Sequence, residues 1–164
     1  IGVNTTYVLK YEIDPSVVAG NTVSPAFDAV GKLNYQTVAY PLPQLKGNLF
    51  LEYSHGPHNL RYTMNYIDSY EDQRTDIFSP SLANSQAPNP AAAILGGKTI
   101  DSTMFHDITY LLQLPWNMTV NATVENFTDE DPSFARLDLS YDPFTSSALG
   151  GTYKLGLRMR FGGE

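Results

Sequence analysis

The chain has 164 residues, and ten Lys and Arg against seventeen Asp and Glu give it a formal net charge of −7 at pH 7. Only 16% of the residues are charged while 42% are hydrophobic and 12% aromatic, which excludes a disordered chain and leaves no basic surface for nucleic acid. The absence of Cys removes disulfides, thiolate metal ligands and cysteine nucleophiles. We therefore expect one domain or part of a larger one.

Apolar and polar residues alternate with a period of two in six segments, which is the pattern of β-strands with one apolar face. In chain order, we predict strands near 4–13, 45–54, 59–69, 103–114, 117–126 and 152–161. Two of the links between them are hairpin-sized, whereas the other three, 14–44, 70–102 and 127–151, are long. Short turns that alternate with long loops are typical of an outer-membrane barrel, in which the long loops are extracellular.

Alternation alone leaves open whether the apolar face meets lipid or a protein core, because a soluble β-sandwich shows the same parity. Segments of about nine to eleven residues favour lipid, since a tilted strand needs that length to cross a bilayer. Strand charges fall almost entirely on the face opposite the apolar one. Aromatic residues gather near the strand ends, as in interfacial girdles. These features predict a transmembrane sheet.

Four motifs near the C-terminus resemble the end of TonB-dependent outer-membrane receptors. They are Asn126-Phe-Thr-Asp-Glu-Asp-Pro132, Tyr141-Asp-Pro-Phe144, Gly150-Gly-Thr-Tyr-Lys-Leu-Gly156 and Arg158-Met-Arg-Phe161. Upstream, Tyr40-Pro-Leu-Pro-Gln-Leu-Lys-Gly47 is similar to the preceding hairpins of that family. The resemblance implies an antiparallel, up-and-down transmembrane β-barrel of about 22 strands, of which these six are the last, with Phe161 as the aromatic residue that ends the closing strand.

The resemblance also implies a location and a role. The parent protein takes up a scarce, bulky nutrient across the Gram-negative outer membrane, such as a siderophore–iron complex, a cobalamin or a glycan. Its partners are outer-membrane lipid, the nutrient, and TonB, which acts through a plug domain that these 164 residues lack. We expect no enzymatic activity and no cofactor. Because six strands cannot close a barrel, the remaining strands and the plug must belong to the same or another chain.

Charged residues on the polar face are candidates for lining the barrel lumen. They are Lys10, Glu52, Arg61, Asp107, Glu125, Lys154, Arg158 and Arg160. Because these residues carry charges of both signs, we expect them to form ion pairs with one another or with the plug. A lining that selects an anionic solute is less favoured. On the other face, six residues are expected to meet lipid near the middle of the membrane: Leu9, Leu51, Met64, Leu112, Val120 and Leu157.

Four other patterns have a structural as well as a functional interpretation. The run Asp129-Glu130-Asp131 lacks EF-hand spacing, and His55 and His58 lie on a Gly-Pro turn without a third ligand nearby, so we predict no metal site. His106 and Asp107 are adjacent on a strand and point to opposite faces, which disfavours a catalytic pair. Aromatic residues of the long links either contact a substrate or pack the links together: Tyr35, Tyr40, Tyr70, Phe78, Phe134, Tyr141 and Phe144.

Two alternatives to the transport function stay open. A secreted β-sandwich that serves as an adhesion or carbohydrate-binding module would show the same alternation, but it would remain soluble without detergent. A barrel segment with a structural role in a surface assembly would have its long loops buried against other chains.

Overall fold

A computed structural model of the chain describes residues 1–34, 40–72, 99–135, 137 and 139–161. Every element of secondary structure assigned in these ranges is a β-strand. The prediction of an all-β protein is therefore confirmed. The described residues contain no helix that is long and apolar enough to span a membrane.

Twelve strands are assigned along the described residues. In chain order they are β1 Gly2–Tyr7, β2 Glu12–Ile13, β3 Ser16–Val18, β4 Asn21–Ser24, β5 Phe27–Asp28, β6 Leu45–His55, β7 His58–Ile67, β8 Tyr70–Glu71, β9 Thr99–Ile100, β10 Thr103–Leu114, β11 Met118–Glu125 and β12 Thr152–Met159.

Six of these strands form one antiparallel sheet in the order β1-β6-β7-β10-β11-β12. Every neighbouring pair is antiparallel, so the six-stranded antiparallel sheet that the alternation predicts is confirmed. Among the described residues the sheet is open, because β1 and β12 are its outermost strands and do not pair with each other.

The first strand is shorter than predicted. The sequence predicts a strand near 4–13, but β1 ends at Tyr7, and β2 pairs instead with β5. Its partner strand β6 begins at Leu45, shortly after Pro43, and a proline has no N–H to continue a ladder. Farther along, the Asp28 carboxylate accepts the N–H of Tyr11 at 3.1 Å. The local pairing with β5 therefore replaces the predicted extension of β1.

The two ends of the sheet differ. At one end, which we call the turn end, a two-residue loop joins β6 to β7, and Gly56 there has φ +55°, as a type II′ turn requires at its first position. A three-residue loop joins β10 to β11 at the same end. The long connections 14–44, 70–102 and 127–151 all emerge at the opposite end, the loop end, and the first two contain the short strands β3–β5 and β8–β9.

The buried core lies among the long connections rather than on the sheet. Leu33, Tyr70, Ile100 and Ala135 pack together, with Leu137 partly buried against them. Backbone hydrogen bonds tie the first connection to the second, since the N–H of Leu33 donates to the carbonyl of Glu71 at 2.8 Å. The described parts of the connections thus form a folded cap at the loop end, which we call the loop cap.

Candidate functional site

The strand register gives the sheet one polar and one apolar face. Residues paired across antiparallel strands share a face, so a single row runs from Glu52 to Arg61, Thr109, Thr123 and Lys154. The next row toward the loop end includes Phe50, Thr63 and Asp107. The charged residues of the six strands therefore share one face, although Phe50, Phe105 and Leu111 also lie on it.

Most of the eight charged candidates lie on this polar face. The strands carry six of them: Glu52, Arg61, Asp107, Glu125, Lys154 and Arg158. Arg160 follows β12, and its N–H still donates to the Asn117 carbonyl at 3.2 Å, which continues the ladder. Lys10 lies outside the sheet, beyond the end of β1, and pairs with Glu12 at 3.0 Å in an exposed position. The prediction that Lys10 lies on the first strand is wrong, because β1 ends at Tyr7.

Hydrogen bonds between side chains cross-link the polar face. Both oxygens of Asp107 accept hydrogen bonds, one from the Asn65 amide at 2.8 Å and one from the backbone N–H of Asn126 at 2.9 Å. The ammonium of Lys154 pairs with the Glu125 carboxylate on the neighbouring strand. Toward the turn end, the Asn59 amide donates to Glu52 at 2.7 Å. Lys154 and Glu125 thus form an ion pair, whereas Glu52 and Asp107 are held by amide and backbone donors.

An aromatic ring on the polar face has a cationic neighbour. The guanidinium of Arg61 lies 4.2 Å from the ring centroid of Phe50, which is within the range of a cation–π contact. Both side chains are on the polar face and on neighbouring strands. Phe50, which breaks the simple alternation of β6, is therefore partly covered by a charged residue.

The apolar face is mostly half-buried on β10 and β11 and exposed on β12, an outer strand whose polar-face residues are also exposed. Leu155 and Leu157 of β12 are 82% and 70% exposed, and Tyr53 near the turn end is 68% exposed. Five of the six residues expected to meet lipid share this face: Leu51, Met64, Leu112, Val120 and Leu157. Leu9 does not, because it lies beyond the end of β1. No second sheet from the described residues covers this surface.

Two tyrosine–histidine pairs lie on the apolar face, and the sequence analysis did not find them. The Tyr62 hydroxyl is 2.7 Å from Nδ1 of His106, and the Tyr110 hydroxyl is 2.5 Å from Nδ1 of His58. The ring of Phe127 lies 5.9 Å from that of His106. The alternation indicates the shared face, but only the register brings these partners together across strands.

A buried hydrogen-bond cluster joins two of the long connections in the loop cap. The Tyr70 hydroxyl donates to Asp142 Oδ2 at 2.6 Å and lies 2.7 Å from the Thr145 hydroxyl. The other oxygen of Asp142 accepts the N–H of Phe144 at 2.9 Å. Burial, together with the hydrogen bond to Asp142, raises the pKa of Tyr70 well above its usual range. Tyr70 therefore packs the connections together, which was one of the two roles expected for the aromatic residues.

The other aromatic candidates are distributed around the loop cap. Tyr40 and Phe144 come from different connections, and their ring centroids are 5.0 Å apart. Phe134 forms an isolated β-bridge with Tyr141 within the third connection. Tyr35 and Phe78 lie outside the described residues.

Side chains also form hydrogen bonds to the backbone within the first and third connections. The buried Asn34 amide donates to the carbonyls of Ala29 at 2.9 Å and Tyr40 at 3.0 Å. Asp28 accepts the N–H groups of Val30 and Tyr11, which lower the pKa of this carboxyl. In the third connection, Asp129 Oδ1 accepts the N–H of Gly151 at 2.8 Å.

The structure shows the surroundings of the His106–Asp107 pair and of the acidic residues considered as metal ligands. His106 and Asp107 point to opposite faces of the sheet, with Tyr62 beside the first and Asn65 beside the second. Among the described residues, no three His, Asp or Glu side chains come close enough together to hold a metal ion. In the acidic run, Asp129 bonds to the backbone where β12 begins, which gives it a local structural role.

Phe161 lies two residues beyond β12 and is exposed. It carries no contact that would assign it a role in the described chain.

Comparison with known proteins gives no relative. No protein-family model matches the chain, and neither a curated protein nor a solved structure matches it significantly.

Proposed function

We propose that the chain is the closing barrel segment of a TonB-dependent receptor in the outer membrane of a Gram-negative bacterium. In this proposal the apolar face contacts lipid and the polar face lines the lumen. The complete receptor takes up a scarce, bulky nutrient, a siderophore–iron complex, a cobalamin or a glycan, with energy passed through TonB. The proposal of transport rests on the resemblance of the C-terminal motifs to that family. The proposal of a membrane location rests on the apolar face of the sheet and on the lengths of its strands.

The apolar face, exposed on β12, is the observation that carries the membrane part. Leu155, Leu157 and Tyr153 of β12 are all at least 70% exposed, and the small core of the chain lies elsewhere, in the loop cap. Removing apolar surface from water is worth about 25 cal/mol per Å². A continuous sheet face of this composition therefore needs a cover, and the hydrocarbon of a bilayer supplies one without another protein layer.

The dimensions of the sheet support the same proposal. The four strands between the two edges, β6, β7, β10 and β11, are 11, 10, 12 and 8 residues long. Tilted membrane strands need about 9 to 11 residues. The tight turns all lie at one end and the long connections at the other, as in outer-membrane barrels.

The two outer strands require neighbours in this proposal. Backbone groups without hydrogen-bond partners are not tolerated in the hydrocarbon layer. Further strands, from the same polypeptide or from another chain, would pair with β1 and β12 and complete the barrel. The loop cap would then lie on the extracellular side.

Fluorescence quenching by brominated lipid tests the orientation of the sheet. Trp116 is the only Trp of the chain, so Trp116→Phe gives a silent background. In that background, Leu157→Trp and Arg158→Trp place a fluorophore at neighbouring positions on opposite faces of β12. After reconstitution into vesicles with lipid brominated near the chain ends, we expect strong quenching of the first variant and weak quenching of the second.

The sandwich alternative predicts the opposite behaviour. A secreted sandwich would remain monodisperse without detergent, and neither Trp variant would be quenched by the brominated lipid. Equal quenching of the two variants would also contradict the assignment of the faces.

A growth experiment tests the transport part separately. A strain that lacks the coding region for this chain should share a growth defect on one scarce nutrient with a strain that lacks TonB, and the double mutant should be no worse. A growth profile that differs from that of the TonB-deficient strain on every siderophore, cobalamin and glycan source tested would refute TonB-dependent uptake.

A further inference from the structure

A pocket of about 460 Å³ lies on the polar face at the loop end. Its floor is made by polar-face residues, among them Asn65, Asp107 and Glu125. Residues 143–147, together with 149 and 150 of the third connection, line the rest of the pocket. In the proposed barrel this pocket would face the lumen just below the extracellular opening, on the path of any solute that enters.

The lining is mostly apolar, and a few oxygen-bearing side chains are placed within it. The carboxylates of Asp107 and Glu125 line the pocket together with the hydroxyl-bearing residues Ser146 and Ser147, and Phe105 and Phe144 supply aromatic rings. The carboxylate of Asp107 is held in place by the donors on Asn65 and Asn126, so it is already oriented before a ligand arrives. Among the described residues, no Lys or Arg lines the pocket.

This lining disfavours an anionic solute. A carboxylate or phosphate ligand would meet two acidic side chains and would find no lining cation to compensate for its lost hydration. Glu125 is already paired with Lys154 of the neighbouring strand. The Lys154–Glu125 pair also disfavours a cationic ligand, because it leaves Asp107 as the one lining carboxylate without a cationic partner among the described residues.

A polyhydroxylated neutral solute fits the same groups. Each sugar hydroxyl both donates and accepts a hydrogen bond, and the pocket offers carboxylate acceptors together with the hydroxyls of Ser146 and Ser147, which do both. The apolar ring faces of a sugar can lie on Phe105 and Phe144, in line with binding sites that combine aromatic walls with a few placed polar groups.

We propose that this pocket binds a neutral glycan, which narrows the nutrient classes of the proposed receptor to one. The inference rests on the proposed function in taking the polar face as the lumen, and it assigns the contact to residues 143–147 together with Asp107 and Glu125.

Ligand binding is measured on the full 164-residue chain in detergent micelles, in whatever oligomeric state it adopts there. The probes are four trisaccharides: maltotriose and N-acetylated chitotriose, which are neutral, deacetylated chitotriose, which is cationic, and trigalacturonate, which is anionic. Saturation-transfer NMR and calorimetric titration should detect at least one neutral probe and give it an affinity about tenfold or more above the two charged probes.

Two variants with a matched control locate the site. Phe144→Ala should weaken binding of the neutral probe by about tenfold, because it removes an aromatic wall. Phe134→Ala changes an exposed aromatic residue of the same connection that does not line the pocket, and it should leave the affinity unchanged. Ser146→Lys adds a cation to the pocket lining and should therefore allow trigalacturonate to bind. A misfolded variant would not show this gain.

The inference is overturned if no neutral probe binds, if a charged probe binds more tightly to the unmodified chain, or if Phe144→Ala and Phe134→Ala have equal effects. These outcomes are independent of the lipid-quenching result. A chain that inserts with the expected orientation but binds no neutral glycan loses only this inference, whereas a failure of lipid quenching removes the receptor proposal itself.

Discussion

The hydroxyl of Tyr70 donates a 2.6 Å hydrogen bond to the carboxylate of Asp142, although 72 positions separate the two residues in the chain. The bond joins the second and third long connections inside the loop cap. Asp142 is only 1% exposed and Tyr70 only 3%, so water cannot replace either partner if the other is removed. Five consequences of the structure are open to measurement.

Tyr70→Phe should loosen the loop cap. The substitution leaves one oxygen of the buried Asp142 without its strongest donor, and such a loss costs about 1–3 kcal/mol. Amide exchange at Ile100 and Ala135, which pack beside Tyr70, should become faster. Tyr141→Phe, in the same cap, is the control, because no hydrogen bond of its hydroxyl links it to a described residue. Equal effects of the two variants would contradict the proposed role of Tyr70.

The loop cap should also lose stability at alkaline pH. Burial raises the pKa of Tyr70 in the folded chain above its unfolded value of about 10. The neutral phenol therefore contributes stability that is fully present below pH 10 and is lost as the pH rises through and beyond that value. The loss should be seen as faster amide exchange of the cap above pH 10, relative to the sheet. Tyr70→Phe should abolish this pH dependence, and its persistence would assign it to other groups.

Substitutions on the two faces of β12 should differ in cost in a membrane. Leu157→Arg places a charge on the face proposed to meet lipid, and near the midplane this costs about 2–4 kcal/mol. Arg158→Leu, one residue later on the polar face, should cost much less. Denaturant titration of the chain in lipid vesicles measures both. Similar costs for the two variants would argue that both faces of β12 contact the same medium.

The outer strands of the sheet should remain open unless other strands cover them. β1 and β12 each pair on one side only in the described chain. In detergent, a demonstrated monomer of residues 1–164 should exchange the outward-facing amides of β12 quickly and those of β10 slowly. We expect no stable monomeric barrel from this chain alone. Full protection of β12 in a verified monomer would refute the open sheet.

Gly150 should be intolerant of a side chain. It has φ +59°, and a Cβ there would lie 2.5 Å from Oδ1 of Asp129, the oxygen that holds the N–H of Gly151. Gly150→Ala should therefore cost more than the roughly 1 kcal/mol of backbone strain alone. Gly20→Ala is the matched control, with φ +81° but no atom within 4 Å of the added carbon. Thermal or chemical unfolding of both variants in micelles decides whether Asp129 contributes the difference.

The strand pattern was predictable because it depends on neighbours along the chain. Alternation in a segment such as 103–114 fixes which side chains share a face, and the structure has that strand with the same bounds. The tight Gly56-Pro57 link likewise determines that β6 and β7 are antiparallel neighbours. The first strand was mispredicted because its end is set by its partner: the proline before β6 and the carboxylate of Asp28 redirect residues 8–13.

By itself, the sequence determined the all-β class, the number and order of the sheet strands, and the separation of charged from apolar side chains, since each follows from a two-residue period and from turn chemistry. Only the tertiary structure decided that described parts of the connections pack around Tyr70 and Asp142, that no second sheet of the described residues covers the apolar face, and that residues 143–147 line a pocket with Asp107 and Glu125. The reason is that these features join residues from different connections and strands. Contacts of that kind depend on how the connections pack in space, and local periodicity does not encode such packing.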